Sequence, residues 1–74
     1  MEEIAITTEY IKADAFLKFT GLCATGGQAK WMIEEGQVTV NGEVCVQRGK
    51  KLHRGDIVAV VGGPTYQIIC IFKR

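Results

Sequence analysis

Proline occurs once in this chain, one whole stretch of it has no acidic residue, and no apolar run approaches a membrane span. Each scarcity narrows the reading. With 47% apolar residues and a single proline, the composition is that of a folded chain and not a disordered one. Crossing a bilayer takes roughly 20 consecutive apolar residues, so no membrane partner is expected. No basic-then-apolar signal segment opens the chain, and a cytoplasmic location is expected. Cys23, Cys45 and Cys70 are odd in number, widely spaced and without a C-x-x-C pair. That argues against a disulfide framework or a zinc site and for reduced thiols. His53 is the sole histidine, with no second ligand at useful spacing, and reads as a hydrogen-bonding loop residue or a minor phosphate contact. No pair of carboxylates and no nucleophile beside a base stands out. Catalytic residues, metal ligands, cofactors and a small-molecule substrate are therefore not expected.

The 74 residues make one domain, 1–74, without room for a second core. A chain this short buries only about 60% of its unfolded surface, so its stability is modest. The net charge of +1 by itself implies no polyanionic partner. The distribution says more. Glu2, Glu3 and Glu9 lie at the start, and Glu34, Glu35 and Glu43 in the middle, each group in a stretch free of bases. Residues 48–55, "RGKKLHRG", carry Arg48, Lys50, Lys51 and Arg54 and no acid. Lys12, Lys18 and Lys30 fall between the acidic groups. A near-neutral total conceals a basic patch, provided the fold gathers these segments.

"EIAIT" (residues 3–7) alternates weakly and reads as a short strand at a sheet edge. In "IKADAFLKFTG" the period changes to helical, with Ala13, Phe16, Leu17 and Thr20 on one face and Gly21 as the stop. A second helix spans about 27–35, with Ala29, Met32 and Ile33 inward and Gly36 after it. Strands follow. "QVTV" and "EVCV" flank Asn41-Gly42, the strongest short hairpin signal. Two registers are open. A two-residue loop places Cys45 beside Val38 and Val40, whereas a bulged loop places Val44 and Val46 there. The bulged loop is preferred because it buries valines in place of Glu43. "QRGKKLHRGD" reads as a loop, "DIVAVV" as a fourth strand, Gly62-Gly63-Pro64 as a turn and "TYQIICIF" as a fifth strand. The last is apolar on both faces and must be paired or covered. The expected fold is α+β, in the order β-α-α-β-β-β-β, with two short helices packed on a small, mostly antiparallel sheet.

The stretch "TGGQAK" poses a question, because glycine costs a helix roughly 1 kcal/mol against alanine. A helix N-terminus offers unpaired N–H groups and a partial positive charge to an anion. Gly26 and Gly27 let a phosphate reach the backbone, Thr25 caps the helix or donates its hydroxyl, and Lys30 leans back from one turn on. Alternatively, the glycines serve only chain reversal. The spacing is not that of a nucleotide P-loop.

"KADAFL", "TGGQAKWMIEEG", "QVTVNG" and "RGDIV", in that order and with these gaps, resemble the S4-type RNA-binding domain, the αL motif, from about Tyr10 to Val61. The closest likeness is to its small stand-alone bacterial members, in which the domain is the whole protein. The resemblance implies binding to structured RNA such as ribosomal RNA. It places Lys12 at the basic position of the first helix and Lys30 at that of the second. Arg48, Lys50 and Lys51, with Arg54 beyond them, fall in the basic loop, and Gly27 and Gln28 at the helix start that lies against the nucleic acid. Gly26, Ala15, Trp31, Gln37 and Gln47 stand where members of the family often carry a basic residue, which leaves fewer phosphate contacts. Some enzymes carry this domain joined to a catalytic one, and about ten residues on either side are too few for that.

The candidate RNA-binding set is therefore Lys12, Thr25, Gly26, Gly27, Gln28, Lys30, Arg48, Lys50, Lys51 and Arg54, acting in a monomer. Trp31 lies opposite Ala29 and Ile33 on its helix. It is expected to pack under the first strand against Ile4 or Ile6, with stacking on RNA or anchoring a protein as the alternatives. Phe16 and Met32 are read as core, while Phe19 and Tyr66 stay open. Cys23 is read as a small buried residue, Asp14 as support for the first helix and Asp56 as support for the turn into the fourth strand. Lys18 belongs to the solvent face, and Lys73 and Arg74 to a solubilising tail. Two other readings compete with RNA binding: a protein-interaction module using Trp31 and the apolar C-terminal strand, and DNA binding.

Overall fold

The computed structural model describes residues 1–71; Phe72, Lys73 and Arg74, and with them the expected basic tail, lie outside the described residues. The elements are β1 (Glu2–Ile6), β2 (Tyr10–Lys12), α1 (Ala13–Phe19), α2 (Gly26–Glu34), β3 (Val38–Val40), β4 (Glu43–Val44), β5 (Lys51–His53), β6 (Ile57–Val60) and β7 (Thr65–Cys70). Five strands form the main sheet in the order β1-β7-β6-β3-β4. β1 runs parallel to β7, with Ile4 opposite Ile68, and every other pairing is antiparallel. The main sheet and its two helices thus follow the expected order β-α-α-β-β-β-β. β1 is an edge strand, and the apolar β7 is paired on both sides.

Alternation places one face of each strand against the helices. Val38 and Val40 of β3, Val58 and Val60 of β6 and Tyr66 and Ile68 of β7 are buried there. Phe16 and Leu17 of α1 and Ala29 and Ile33 of α2 meet them at full burial. Fully burying an aliphatic or aromatic side chain of this size contributes roughly 1.5–3 kcal/mol. Phe16 and Tyr66 pack edge to face, centroids 5.7 Å apart at 80°, which settles Tyr66 as core. Phe19 points the other way and is 59% exposed. Met32 is half-buried against the core, and the Cys23 thiol lies 3.2 Å from its sulfur.

Three expectations are corrected. The hairpin takes the two-residue loop, with Val40 opposite Glu43 and Thr39 opposite Val44. Cys45 is buried, while Val44 and Val46 are 57% and 63% exposed. Asn41 and Gly42 both have positive φ, 54° and 86°, the turn geometry whose twist matches the flanking strands. Glu43 sits beside the turn, where its carboxylate reaches solvent, so the penalty held against this register does not arise.

The second correction concerns "QRGKKLHRGD". Lys51–His53 within it is a strand, paired with Tyr10–Lys12 in a separate ribbon, Ile11 opposite Leu52. The third concerns Trp31, which is 57% exposed and does not pack away under β1. Ile4 and Ile6 belong instead to the main core.

Candidate functional site

The residue before α1 is Lys12, whose side chain makes no cap hydrogen bond. A lysine has no acceptor with which to cap, so the first amides of α1 find acceptors elsewhere. Ala13 N donates to Lys50 O at 2.9 Å and Asp14 N to Arg48 O at 3.0 Å. Ala15 N donates to Asp14 Oδ1 at 2.7 Å. The main chain of the basic stretch is thereby pinned on the helix start, with the side chains of Arg48 and Lys50 exposed. The ribbon adds to this. Lys12 is the register partner of Lys51, and Tyr10 of His53. Lys12, Arg48, Lys50 and Lys51, far apart in sequence, therefore converge at the start of α1. Asp14, the acid nearest in sequence, has an oxygen committed to Ala15 N. Crowded like charges beside a helix N-terminus repel one another and favour a polyanion.

Lys51 Nζ lies 4.9 Å from the Tyr10 ring centroid, a cation–π contact. Arg54 is exposed beyond His53, at the opposite end of the ribbon from Arg48. His53 is also exposed, and its amide donates to Asp56 Oδ2 at 2.8 Å. Asp56 Oδ1 accepts from Asn41 Nδ2 at 3.1 Å, and Asn41 Oδ1 from Ile57 N at 2.9 Å. The hairpin tip is thus locked to the turn that follows β5. Asp56 holds that turn, as expected, and also reaches across to the hairpin. Between the two lies an open cleft of about 460 Å³ bordered by Glu43, Val44, Val46, Lys50, Lys51 and His53. Among the described residues no cluster of histidine, cysteine, aspartate or glutamate could hold a metal ion.

At α2 the cap is local. Thr25 Oγ1 accepts from Gln28 N at 3.2 Å, and Gln28 Oε1 accepts from Ala24 N at 2.8 Å, a variant of the capping box. Gly26 and Gly27 are exposed and have no positive φ. A Cβ built at Gly26 would meet nothing, and one at Gly27 only Thr25 Oγ1 at 3.9 Å. Neither backbone geometry nor internal packing calls for glycine here. The bare backbone leaves room on the outside, with the exposed Lys30 one turn along. Cys23, just ahead, is buried, and burial pushes its thiol pKa up. It is a structural residue, as expected.

A family model described as the S4 domain matches residues 4–69. The chain belongs to the S4 domain family. Its S4 domain is similar to a curated protein of Bacillus subtilis (strain 168) named "Probable ribosome maturation protein RlbA". The two are 41% identical over 66 residues, which is 89% of this chain and 93% of the relative. Among solved structures it is similar to YbcJ from E. coli, with a TM-score of 0.69 and 30% identity over 93% of this chain and 87% of that one. YbcJ's solution structure is described as revealing an αL motif involved in RNA binding. Of the two exposed rings on the ribbon, Tyr10 lies outside the expected set and His53 is expected as no more than a minor phosphate contact. A signal for them was available: Tyr10-Ile11-Lys12 and Lys51-Leu52-His53 both alternate around one apolar residue.

Proposed function

We propose that this S4 domain is a non-catalytic RNA-binding protein that recognises structured RNA by shape, with ribosomal RNA or a maturing ribosomal particle in the cytoplasm as its target. Lys12, Arg48, Lys50 and Lys51 contact phosphates at the α1 start. At the α2 start the amides of Gly26 and Gly27 take a further phosphate, with Thr25, Gln28 and Lys30 around it, and Arg54 extends the basic surface along the ribbon. The protein acts as a monomer. The observation that carries this reading is the pinning of the basic stretch onto α1 by its own carbonyls, which leaves the Arg48 and Lys50 side chains free beside Lys12 and Lys51. The similarity to a protein named for ribosome maturation supports the choice of target. Cations spread over loop and ribbon suit the phosphates of a shaped RNA better than base-edge readout.

The test is binding to total structured RNA from a bacterial lysate at two salt concentrations, with Lys50→Glu/Lys51→Glu as control. Wild type is expected to bind tightly at low salt. Each phosphate contact adds roughly 0.7–0.9 to the slope of log affinity against log salt. The double variant is expected to lose binding while keeping its fold by circular dichroism. Binding that survives the double change would assign the surface elsewhere.

Trp31, 57% exposed on α2, favours a second reading as a protein-docking residue. Salt-insensitive association lost in Trp31→Ala would establish it. For the C-terminal strand, the other half of that reading, β7 lies between β1 and β6, so a partner does not add to the sheet at its edge. Phosphate contacts do not separate RNA from DNA, and competition between matched RNA and DNA duplexes decides between them.

A further inference from the structure

Resting on the RNA-binding reading, we propose that the outer face of the β2–β5 ribbon is a platform for an unpaired nucleobase, with Tyr10 and His53 as its rings and Lys12 and Lys51 holding the adjacent phosphates. The ribbon has two unlike faces. Leu52 is fully buried, and its partner Ile11 is half-buried against the core. Strand alternation sends the flanking residues to the opposite face. Tyr10, Lys12, Lys51 and His53 are all exposed there. Tyr10 faces His53 across the ribbon and Lys12 faces Lys51, so one end is aromatic and the other cationic.

The two rings are not stacked on each other. Their centroids are 6.1 Å apart and their planes 50° from parallel. The Lys51 ammonium rests over Tyr10 at 4.9 Å. A base that takes the place of the ammonium exchanges a weak solvent-exposed contact for a stronger stacking one. The same exchange frees Lys51 for a phosphate. Residues two apart on a strand are about 6.8 Å apart, so Tyr10 and Lys12 can meet the base and the backbone of one nucleotide. A single nucleotide supplies both a flat ring for the aromatic end and a negative charge for the cationic end. A double-helical stem, with its bases stacked inside, does not supply the ring. The platform therefore selects single-stranded or bulged positions within the bound RNA.

The experiment uses two fluorescein-labelled decamers, an oligoadenylate and an abasic ribose-phosphate chain of equal charge, titrated by anisotropy. Wild type is expected to prefer the oligoadenylate by roughly 10-fold, the scale of one base–aromatic stack. Tyr10→Ala is expected to bring the ratio near one while leaving affinity for the abasic chain unchanged. Tyr10→Phe is expected to retain the preference, and circular dichroism confirms that both variants fold. Equal binding of the two decamers by wild type, or an undiminished preference in Tyr10→Ala, would overturn the platform. If wild type also binds structured RNA from the lysate, the RNA-binding reading stands and only the platform falls. If wild type binds neither decamer nor structured RNA, both fall together.

Discussion

α1 begins after a lysine and closes two of its first amides on the carbonyls of Lys50 and Arg48. α2 begins after a threonine, caps itself through Thr25 and Gln28, and starts with two exposed glycines that nothing inside the molecule requires. Each helix must satisfy the same set of orphan amides. The first does so at long range and in doing so fixes where a basic segment sits. The second does so locally and keeps its outer surface bare. One helix start positions cations by spending its amides inward; the other is capped by its own Thr25 and leaves Gly26 and Gly27 exposed, where the proposed phosphate would sit.

Breaking the first arrangement carries the largest effect. Leu52 anchors β5 from inside, and Leu52→Ala is expected to cost about 2–5 kcal/mol in denaturant unfolding. Because β5 seats the basic stretch against α1, RNA affinity should fall even at temperatures where the variant stays folded. An unchanged affinity in folded Leu52→Ala would separate the loop's seating from binding. The second arrangement is weakened by Thr25→Ala, expected to cost about 1 kcal/mol of stability without moving the α1 cluster. Its thermal midpoint checks the first part. Unchanged amide chemical shifts at Lys12, Ala13 and Asp14 check the second.

The smallest effect sharpens the region just ahead of α2. Burial pushes the Cys23 thiol pKa up. As pH climbs past about 8.5, the unfolded thiol ionises first while the folded one keeps its proton. The unfolded chain then binds fewer protons, so stability falls with rising pH in that window and is unaffected below it. Cys23→Ala should remove this component from the alkaline side of a stability–pH curve.

Much of this contrast was legible in the residues. Helical spacing over 13–17 and 29–33 located both helices. Asn-Gly located the hairpin, and the acid-free "RGKKLHRG" located the cations. The hairpin register is where the pattern misleads: Glu43 pairs with the buried Val40, yet its place beside the turn leaves it in solvent. The ribbon is hard to read because its two three-residue strands each alternate around a single apolar residue, Ile11 or Leu52, a signal too short to stand out alone. Its pairing of Tyr10–Lys12 with Lys51–His53 is also a long-range event. For Trp31 the helical pattern gives the face but not its neighbours: Ile4 and Ile6 go to the main core and form no second one for it. The hydrogen bonds from Ala13 and Asp14 to the loop carbonyls involve main chain alone, and no side-chain pattern announces them. Charge and family likeness single out the candidate RNA-binding residues, whereas the convergence of Lys12, Arg48, Lys50 and Lys51 follows from the ribbon and those two hydrogen bonds.

The most direct measurement is made on Gly26→Ala/Gly27→Ala, comparing thermal midpoint and affinity for structured RNA with wild type. Both Cβ atoms enter open space, and alanine is the better helix former, by up to about 1 kcal/mol per site. The account predicts a midpoint equal to or above wild type together with weaker RNA binding. A more stable variant that binds RNA as well as wild type would contradict it, because the bare backbone at the α2 start would then serve no anion.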